Sequence, residues 1–345
     1  MKRRLVVDLR SRSKAFCIPG ETAATIAAAT PDGWETHIVA AETDSFGDGA
    51  QSPSDESLNA IATAEVYFGF GMPKALFSAA KQLKWTHTAT AGVASLLFPE
   101  MLASGVAITN SAGAIYGHPI AEHVLGGVLH FLRGFDVAGA QQRATRWDAS
   151  PWATETVMVR ELAECSVVII GAGGIGAEVC RRFGSLGASV TAVRRHVDRG
   201  APAGADRVIG LHDLDDALAG ADIVVIATPL TLETRALLSA ARIARLSAGA
   251  IVCNVSRGPL VDEAALAEAL RERRIRGAVL DVFSAEPLAA GSPLWHLPNV
   301  LHTPHISGVS PRLFWVRLTE LFLDNWERWC AGAPLRNLVD KQAGY

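Results

Sequence analysis

Apolar and polar positions follow two alternating rhythms along the chain. Short runs rich in β-branched residues are separated by longer stretches with apolar residues at helical spacing, a pattern that predicts parallel sheets covered by helices. In the first third the strand candidates are Leu5–Val7, His37–Val39, Glu65–Phe70 and Val106–Thr109, set apart by Ala-rich or Gly/Pro-punctuated segments. They suffice for one small open sheet. His118–Gly134 predicts a long helix: Pro119 suits its first turn, and Ile120, Val124, Val128 and Leu132 recur every fourth residue on one face. From Ser166 onward the alternation becomes regular, with SVVIIG, SVTAV, DIVVIAT, AIVCNV, GAVLDV and NVLHT as six further strand candidates. That is the pattern of a doubly wound domain. A last helix opens at Ser310-Pro311, with a Ser cap and Pro in the first turn. It carries Leu313, Phe314, Trp315, Val316, Leu321, Phe322, Trp326 and Trp329, apolar nearly all round, and is expected to be buried between other elements.

Length adds a domain count. At 345 residues the chain is too long for one ordinary core and predicts two domains. Apolar residues at 49% against 19% charged exclude wholesale disorder. The formal charge of −3 gives no basic footprint for nucleic acid. The start, MKRRLVVDLRSRSK, has an apolar run well short of a signal-peptide core, and no stretch reaches the length of a membrane span. Five cysteines without a CxxC pair suggest reduced thiols and a cytoplasmic location. No metal site is expected, because the one close histidine set, His296, His302 and His305, has neither cysteine nor HExxH spacing near it.

The hexapeptide GAGGIG changes the picture from fold to ligand. Gly171, Gly173 and Gly176 match G-x-G-x-x-G, a weak signal alone. Here it follows the apolar strand Ser166–Ile170 and opens a helix with an expected inner face of Ile175, Val179, Phe183 and Leu186, closing at Gly187. One glycine makes the tight turn, one lets the backbone approach a pyrophosphate, and one permits close helix-to-strand packing, while the helix N-terminus supplies N–H groups. A dinucleotide is therefore the expected ligand, with Gly171, Gly173, Gly174, Ile175 and Gly176 as its candidate contacts. At the end of the next strand, VTAVRR, an acidic residue would accept the ribose hydroxyls of NAD, but Arg194 and Arg195 stand there instead. Guanidinium groups match phosphate geometry. NADP is thus expected over NAD, the alternative being that both arginines are solvated loop charges.

Three motifs follow in order: NVSRGPLVDEAAL at 254–266, LDVFSAEPL at 280–288 and TPHISG at 303–308. They closely resemble the signatures of the D-isomer-specific 2-hydroxyacid dehydrogenase family, which includes glyoxylate and hydroxypyruvate reductases. The resemblance covers nearly the whole chain, from AITNSAGAIYGHPIAEHVLGGVLHFLR through RELAECSVVIIGAGGIG to PLRNLVDKQAGY. By position it implies a catalytic set of Arg257, Glu286 and His305. A histidine suits proton transfer near neutral pH, a neighbouring carboxylate fixes its tautomer, and an arginine can hold a 2-oxo acid in a planar fork.

The same resemblance puts Asp281 near the nicotinamide, with a turn cap as the alternative, and Thr228, Val255 and Ser256 along the cofactor. Ala91, Gly92 and Val93, in TATAGVASLL, resemble a glycine loop whose N–H groups bind the substrate carboxylate; a plain turn is the alternative. Ala94 departs from the family, many of whose members carry Asp there.

The implied fold is α/β: a Rossmann-type doubly wound parallel-sheet cofactor domain, 110–307, inserted in a smaller flavodoxin-like α/β substrate domain, 1–109 plus 308–345. The cleft between them is expected to close on ligand and exclude water. Family members commonly form homodimers through their cofactor domains. The implied function is NADPH-dependent reduction of a small 2-oxo acid, glyoxylate or hydroxypyruvate first, to its D-2-hydroxy acid. A formate-dehydrogenase-like reading is disfavoured by Glu286, where that subgroup pairs its histidine with Gln, and the chain leaves no room for the appended regulatory domain of long phosphoglycerate dehydrogenases. The alternative function is a cofactor-sensing protein like the C-terminal-binding corepressors, which share the fold and the triad.

Overall fold

The computed structural model describes residues 2–44 and 52–344. Along the chain the elements are β1 (Arg3–Asp8), α1 (Gly20–Ala28), β2 (Trp34–Ile38), α2 (Asp55–Ile61), β3 (Val66–Gly69), α3 (Lys74–Ala79), β4 (Trp85–Thr88), α4 (Pro99–Leu102), β5 (Ala107–Thr109) and α5 (Ala114–Leu132). They continue with α6 (Phe135–Arg143), α7 (Ser150–Ala153), β6 (Ser166–Ile170), α8 (Gly174–Ser185), β7 (Ser189–Val193), β8 (Arg207–Ile209), α9 (Leu214–Ala219) and β9 (Ile223–Ile226). The last are α10 (Ala240–Ile243), β10 (Ile251–Asn254), α11 (Glu263–Arg271), β11 (Gly277–Leu280), β12 (Val300–His302) and α12 (Pro311–Ala331). They fall into two compact units, Met1–Tyr116 with Val309–Tyr345, and Gly117–Gly308. Among the described residues no helix is long and apolar enough to cross a membrane.

The first unit is built on a five-stranded parallel sheet ordered β2-β1-β3-β4-β5. Period-two alternation sends Leu5 and Val7 into one core with Phe68, Trp85, Phe322 and Trp326, while Val6, Tyr67 and Ile108 enter the opposite core with Ile61, Leu76 and Met101. β4, with sequence WTHT, escapes prediction because three of its four residues are polar, yet all four are buried. Three of the four find partners inside: the Trp85 indole N–H donates to Thr109 Oγ1 at 2.8 Å, His87 Nδ1 lies 2.7 Å from the same oxygen and its Nε2 3.3 Å from Ser111 Oγ, and Thr88 Oγ1 lies 2.8 Å from Thr90 Oγ1, whereas the buried Thr86 hydroxyl has no partner among the described residues. Burial pushes the His87 pKa down to about 3.

The second unit carries a seven-stranded parallel sheet ordered β12-β11-β10-β9-β6-β7-β8. The chain leaves β6 towards β7 and then returns to β9 on β6's other side, so the switch point, where ligands collect in such sheets, lies between β6 and β9. Val168, Ile170, Val224, Ile226, Val252 and Leu280 pack one face against Leu218, Ile243, Leu266 and Leu270 of the covering helices. α5 lies close on the other face: a Cβ at Gly127 would come within 2.6 Å of Val279, and one at Gly277 within 3.0 Å of Phe131. β8 was not anticipated; RVI is a short edge strand with too few apolar positions to show a period.

Three expectations are corrected. α5 begins at Ala114, so Pro119 stands inside the helix rather than in its first turn. Leu186 is 49% exposed just beyond α8, whose buried face is Gly176, Val179, Cys180 and Phe183. α12 starts at Pro311 as expected, but Ser310 makes no side-chain cap bond; the helix buries one face and leaves Leu313 and Val316 each 52% exposed. Its apolar residues exceed what one helix face can bury.

Candidate active site

β6 runs into the glycine loop, and sterics there demand glycine. Gly171 has φ +98°, and a Cβ on it would lie 2.6 Å from the Thr228 nitrogen, so the loop is pressed against the residues that follow β9. A Cβ on Gly176 would sit 1.8 Å from the Gly171 carbonyl oxygen, whereas Gly173 has nothing within 4 Å. The open backbone at Gly173 thus stands at the N-terminus of α8, whose first-turn N–H groups lack intrahelical acceptors. A pyrophosphate requires this arrangement, and the residues present fit a dinucleotide. Thr228 follows β9; its carbonyl accepts the Ser256 hydroxyl at 2.5 Å, tying two of the expected cofactor positions together. Val255 is buried, and its N–H reaches the Ile226 carbonyl at 3.4 Å.

At the end of β7, Arg194 is half-buried and donates through Nη1 to the Gly200 carbonyl at 3.0 Å. Arg195 is more exposed and pairs with Glu233 at 2.6 Å. Because β6 lies between β7 and β9, that ion pair joins loops on either side of the glycine-loop strand.

Three neighbouring strand ends bring the other candidates together. Asn254, Leu280 and His302 are in register across β10, β11 and β12, and Arg257, Glu286 and His305 follow within a few residues. His305 Nδ1 lies 2.8 Å from Glu286 Oε2, while the other oxygen of Glu286 accepts the Phe283 N–H at 3.0 Å. Arg257 is half-buried with Nη1 on the Ser256 carbonyl at 2.6 Å. Its neighbour Gly258 is packed so tightly that a Cβ would fall 1.9 Å from the Phe283 carbonyl carbon, which holds the arginine's turn against the loop of Glu286.

Two wholly buried polar residues organise these loops. Asn254, on no candidate list from sequence, donates to the Arg257 carbonyl at 3.0 Å and accepts the Ser256 N–H at 3.2 Å. Asp281 is 0% exposed, and its carboxylate accepts the Thr303 hydroxyl at 2.6 Å and the N–H groups of Ile306 and Ser307 at 2.8 and 2.9 Å. Through these bonds the Asp281 carboxylate caps the turn from 303 to 307.

Ala91, Gly92 and Val93 lie in the first unit, beyond the end of β4. Thr90 Oγ1 donates to the Gly92 carbonyl at 2.7 Å and Asn110 Nδ2 to that of Ala91 at 2.9 Å, so two carbonyls of the loop are engaged from within the unit. Anchoring of this kind fixes the backbone direction of the turn.

Fold and glycine loop together define a dinucleotide-binding protein of the doubly wound class. The model of the D-isomer specific 2-hydroxyacid dehydrogenase NAD binding domain matches residues 125–307. A glyoxylate/hydroxypyruvate reductase A of Salmonella newport is 32% identical over 77% of this chain and 83% of its own length. The D-3-phosphoglycerate dehydrogenase of Mycobacterium leprae is 36% identical over 67% of this chain, but the match spans only 42% of that longer protein. Among solved structures, a D-isomer specific 2-hydroxyacid dehydrogenase from Xanthobacter autotrophicus Py2, in complex with NADPH and MES, is similar over 100% of both chains with 32% identity and a TM-score of 0.79. The chain belongs to the D-isomer specific 2-hydroxyacid dehydrogenase family, a family of NAD(P)-dependent oxidoreductases.

Proposed function

We propose that this protein reduces a small 2-oxo acid, with glyoxylate and hydroxypyruvate as the leading substrates, to the D-2-hydroxy acid with NADPH. The observation that carries the reading is the 2.8 Å contact of His305 Nδ1 with Glu286 at strand ends adjoining that of Arg257. The similarity to a glyoxylate/hydroxypyruvate reductase and to an NADPH-bound relative supports it.

When bound, the reduced nicotinamide supplies a hydride to C2 of the substrate. Gly171, Gly173, Gly174, Ile175 and Gly176 would hold the pyrophosphate, Arg194 and Arg195 the 2′-phosphate, and Thr228, Val255, Ser256 and Asp281 would line the remainder. The Arg257 guanidinium holds the 2-oxo carboxylate and carbonyl oxygens, orients C2 and stabilises the developing oxyanion. With Nδ1–H donated to Glu286, His305 presents Nε2 to the substrate and delivers its proton to the C2 oxygen; Glu286 stabilises the charged imidazole before that transfer. In this reading residues 1–109 plus 308–345 form the substrate domain, with Ala91, Gly92 and Val93 offering N–H groups to the substrate carboxylate, and 110–307 the cofactor domain. A homodimer is part of the proposal. The segment from Phe135 to Val159 suits a partner surface, since α6 and α7 have no buried residue and Phe135, Trp147 and Met158 are exposed.

The test is oxidation of NADPH and of NADH over a panel of 2-oxo acids, with Arg257→Ala and His305→Ala alongside. Turnover of glyoxylate or hydroxypyruvate with NADPH, lost in both variants while NADPH still binds, is the expected result. Turnover of none of the panel would overturn the proposed reaction, and full activity in either variant would overturn the roles.

A further inference from the structure

We infer that Thr303 and His123 are positioning residues for His305, acting through the buried carboxylate of Asp281; the inference rests on the acid–base role proposed for His305. His305 has φ +55°, the left-handed region that a bulky L-residue occupies only when its neighbours impose it. The neighbours are the rest of the turn from 303 to 307 and Asp281, at the end of β11. The His305 N–H donates to the Asp281 carbonyl at 2.9 Å and to that of Thr303 at 3.0 Å, while the N–H groups of Ile306 and Ser307 grip the Asp281 carboxylate at 2.8 and 2.9 Å. The imidazole is therefore aimed by a turn folded around one carboxylate, and Glu286 only receives it.

Thr303 completes that grip. A carboxylate can only accept, so the Thr303 hydroxyl proton goes to Asp281 Oδ1, 2.6 Å away. The hydroxyl oxygen then faces His123 Nε2 at 3.3 Å as acceptor, which sets the His123 tautomer with its proton on Nε2. His123 is half-buried on α5, the long helix against β11. A line of contacts thus runs from α5 through His123, Thr303 and Asp281 to the backbone of His305. Sequence offers no hint of it, since the two residues stand 180 positions apart.

Thr303→Val keeps the shape and removes the hydroxyl. The expected result is a fall of about 10- to 100-fold in kcat, the loss of one hydrogen bond to a charged group, with the Kd for NADPH by fluorescence titration changed by less than about 2-fold. Thr303→Ser restores the donor and is expected within about 3-fold of the parent kcat, and His123→Phe to lose about 3-fold. Normal kcat in Thr303→Val would overturn the inference, as would a kcat loss that Thr303→Ser fails to rescue or that follows weakened NADPH binding. His305→Ala separates the two levels: if it retains turnover the acid–base reading has failed, whereas an inactive His305→Ala beside a normal Thr303→Val fails the positioning role alone.

Discussion

At one end of the seven-stranded rim, after β10, β11 and β12, the backbone that carries the candidates is held by residues that solvent does not reach: Asn254 and Asp281 are buried, and their bonds fix the backbone around Arg257 and His305. At the other end, after β7, Arg194 and Arg195 are held by a loop carbonyl and an exposed carboxylate, partners that a ligand can replace. The first arrangement suits chemistry, which needs geometry in place before the substrate arrives. The second suits recognition of a charged group, where the arginines exchange one anion for another at little cost, because exposed ion pairs contribute about 0 to 1 kcal/mol. Between them the glycine loop is fixed by close packing and by the Gly171 N–H, which donates to the Val193 carbonyl at 2.9 Å.

The difference can be broken from either side. The largest effect is expected at the chemical end: His305→Ala should lower kcat by about 10² to 10⁴-fold with NADPH affinity retained, measured by steady-state kinetics and cofactor titration. Next comes the loop itself. Gly176→Ala, whose Cβ would meet the Gly171 carbonyl oxygen at 1.8 Å, should destabilise the protein by about 1–3 kcal/mol and weaken both NADPH and NADH; unaltered melting and binding would show that the loop can give. Arg194→Asp should weaken NADPH by about 10- to 100-fold while NADH changes by less than about 3-fold, and an equal effect on both would return the arginine to the solvated surface. The smallest effect is expected at Glu233→Gln, which relieves Arg195 of its carboxylate partner and should tighten NADPH by about 2- to 5-fold without changing NADH. Weaker NADPH binding in that variant would mean that Glu233 holds Arg195 in place for the phosphate.

The apolar strands and the glycine loop were legible in the sequence because period and turn chemistry are local. Trp85–Thr88 was not: its Trp85 indole N–H and His87 imidazole can be buried because Thr109 and Ser111, more than 20 positions on, supply partners. The extent of α12's buried face depended on which of its apolar residues the first unit could cover, again a non-local matter. At the site, the catalytic candidates were visible as residue types; Asn254 and Thr303 open two of the quoted motifs and His123 lies in a third quoted stretch, but their part shows only through the contacts they make.

His87 has a consequence for acid. The imidazole is neutral in the folded first unit with a pKa near 3, while in the unfolded chain it titrates at about 6.5. Between those values the unfolded chain binds the extra proton, so this residue makes stability fall by up to about 1.4 kcal/mol for each unit of acidification below about pH 6, and has no such effect above pH 7. A single buried side chain, on the strand next to the sheet's edge, thus adds an acid sensitivity to the stability of the first unit. Melting temperatures followed from pH 7 to pH 4 should show that decline.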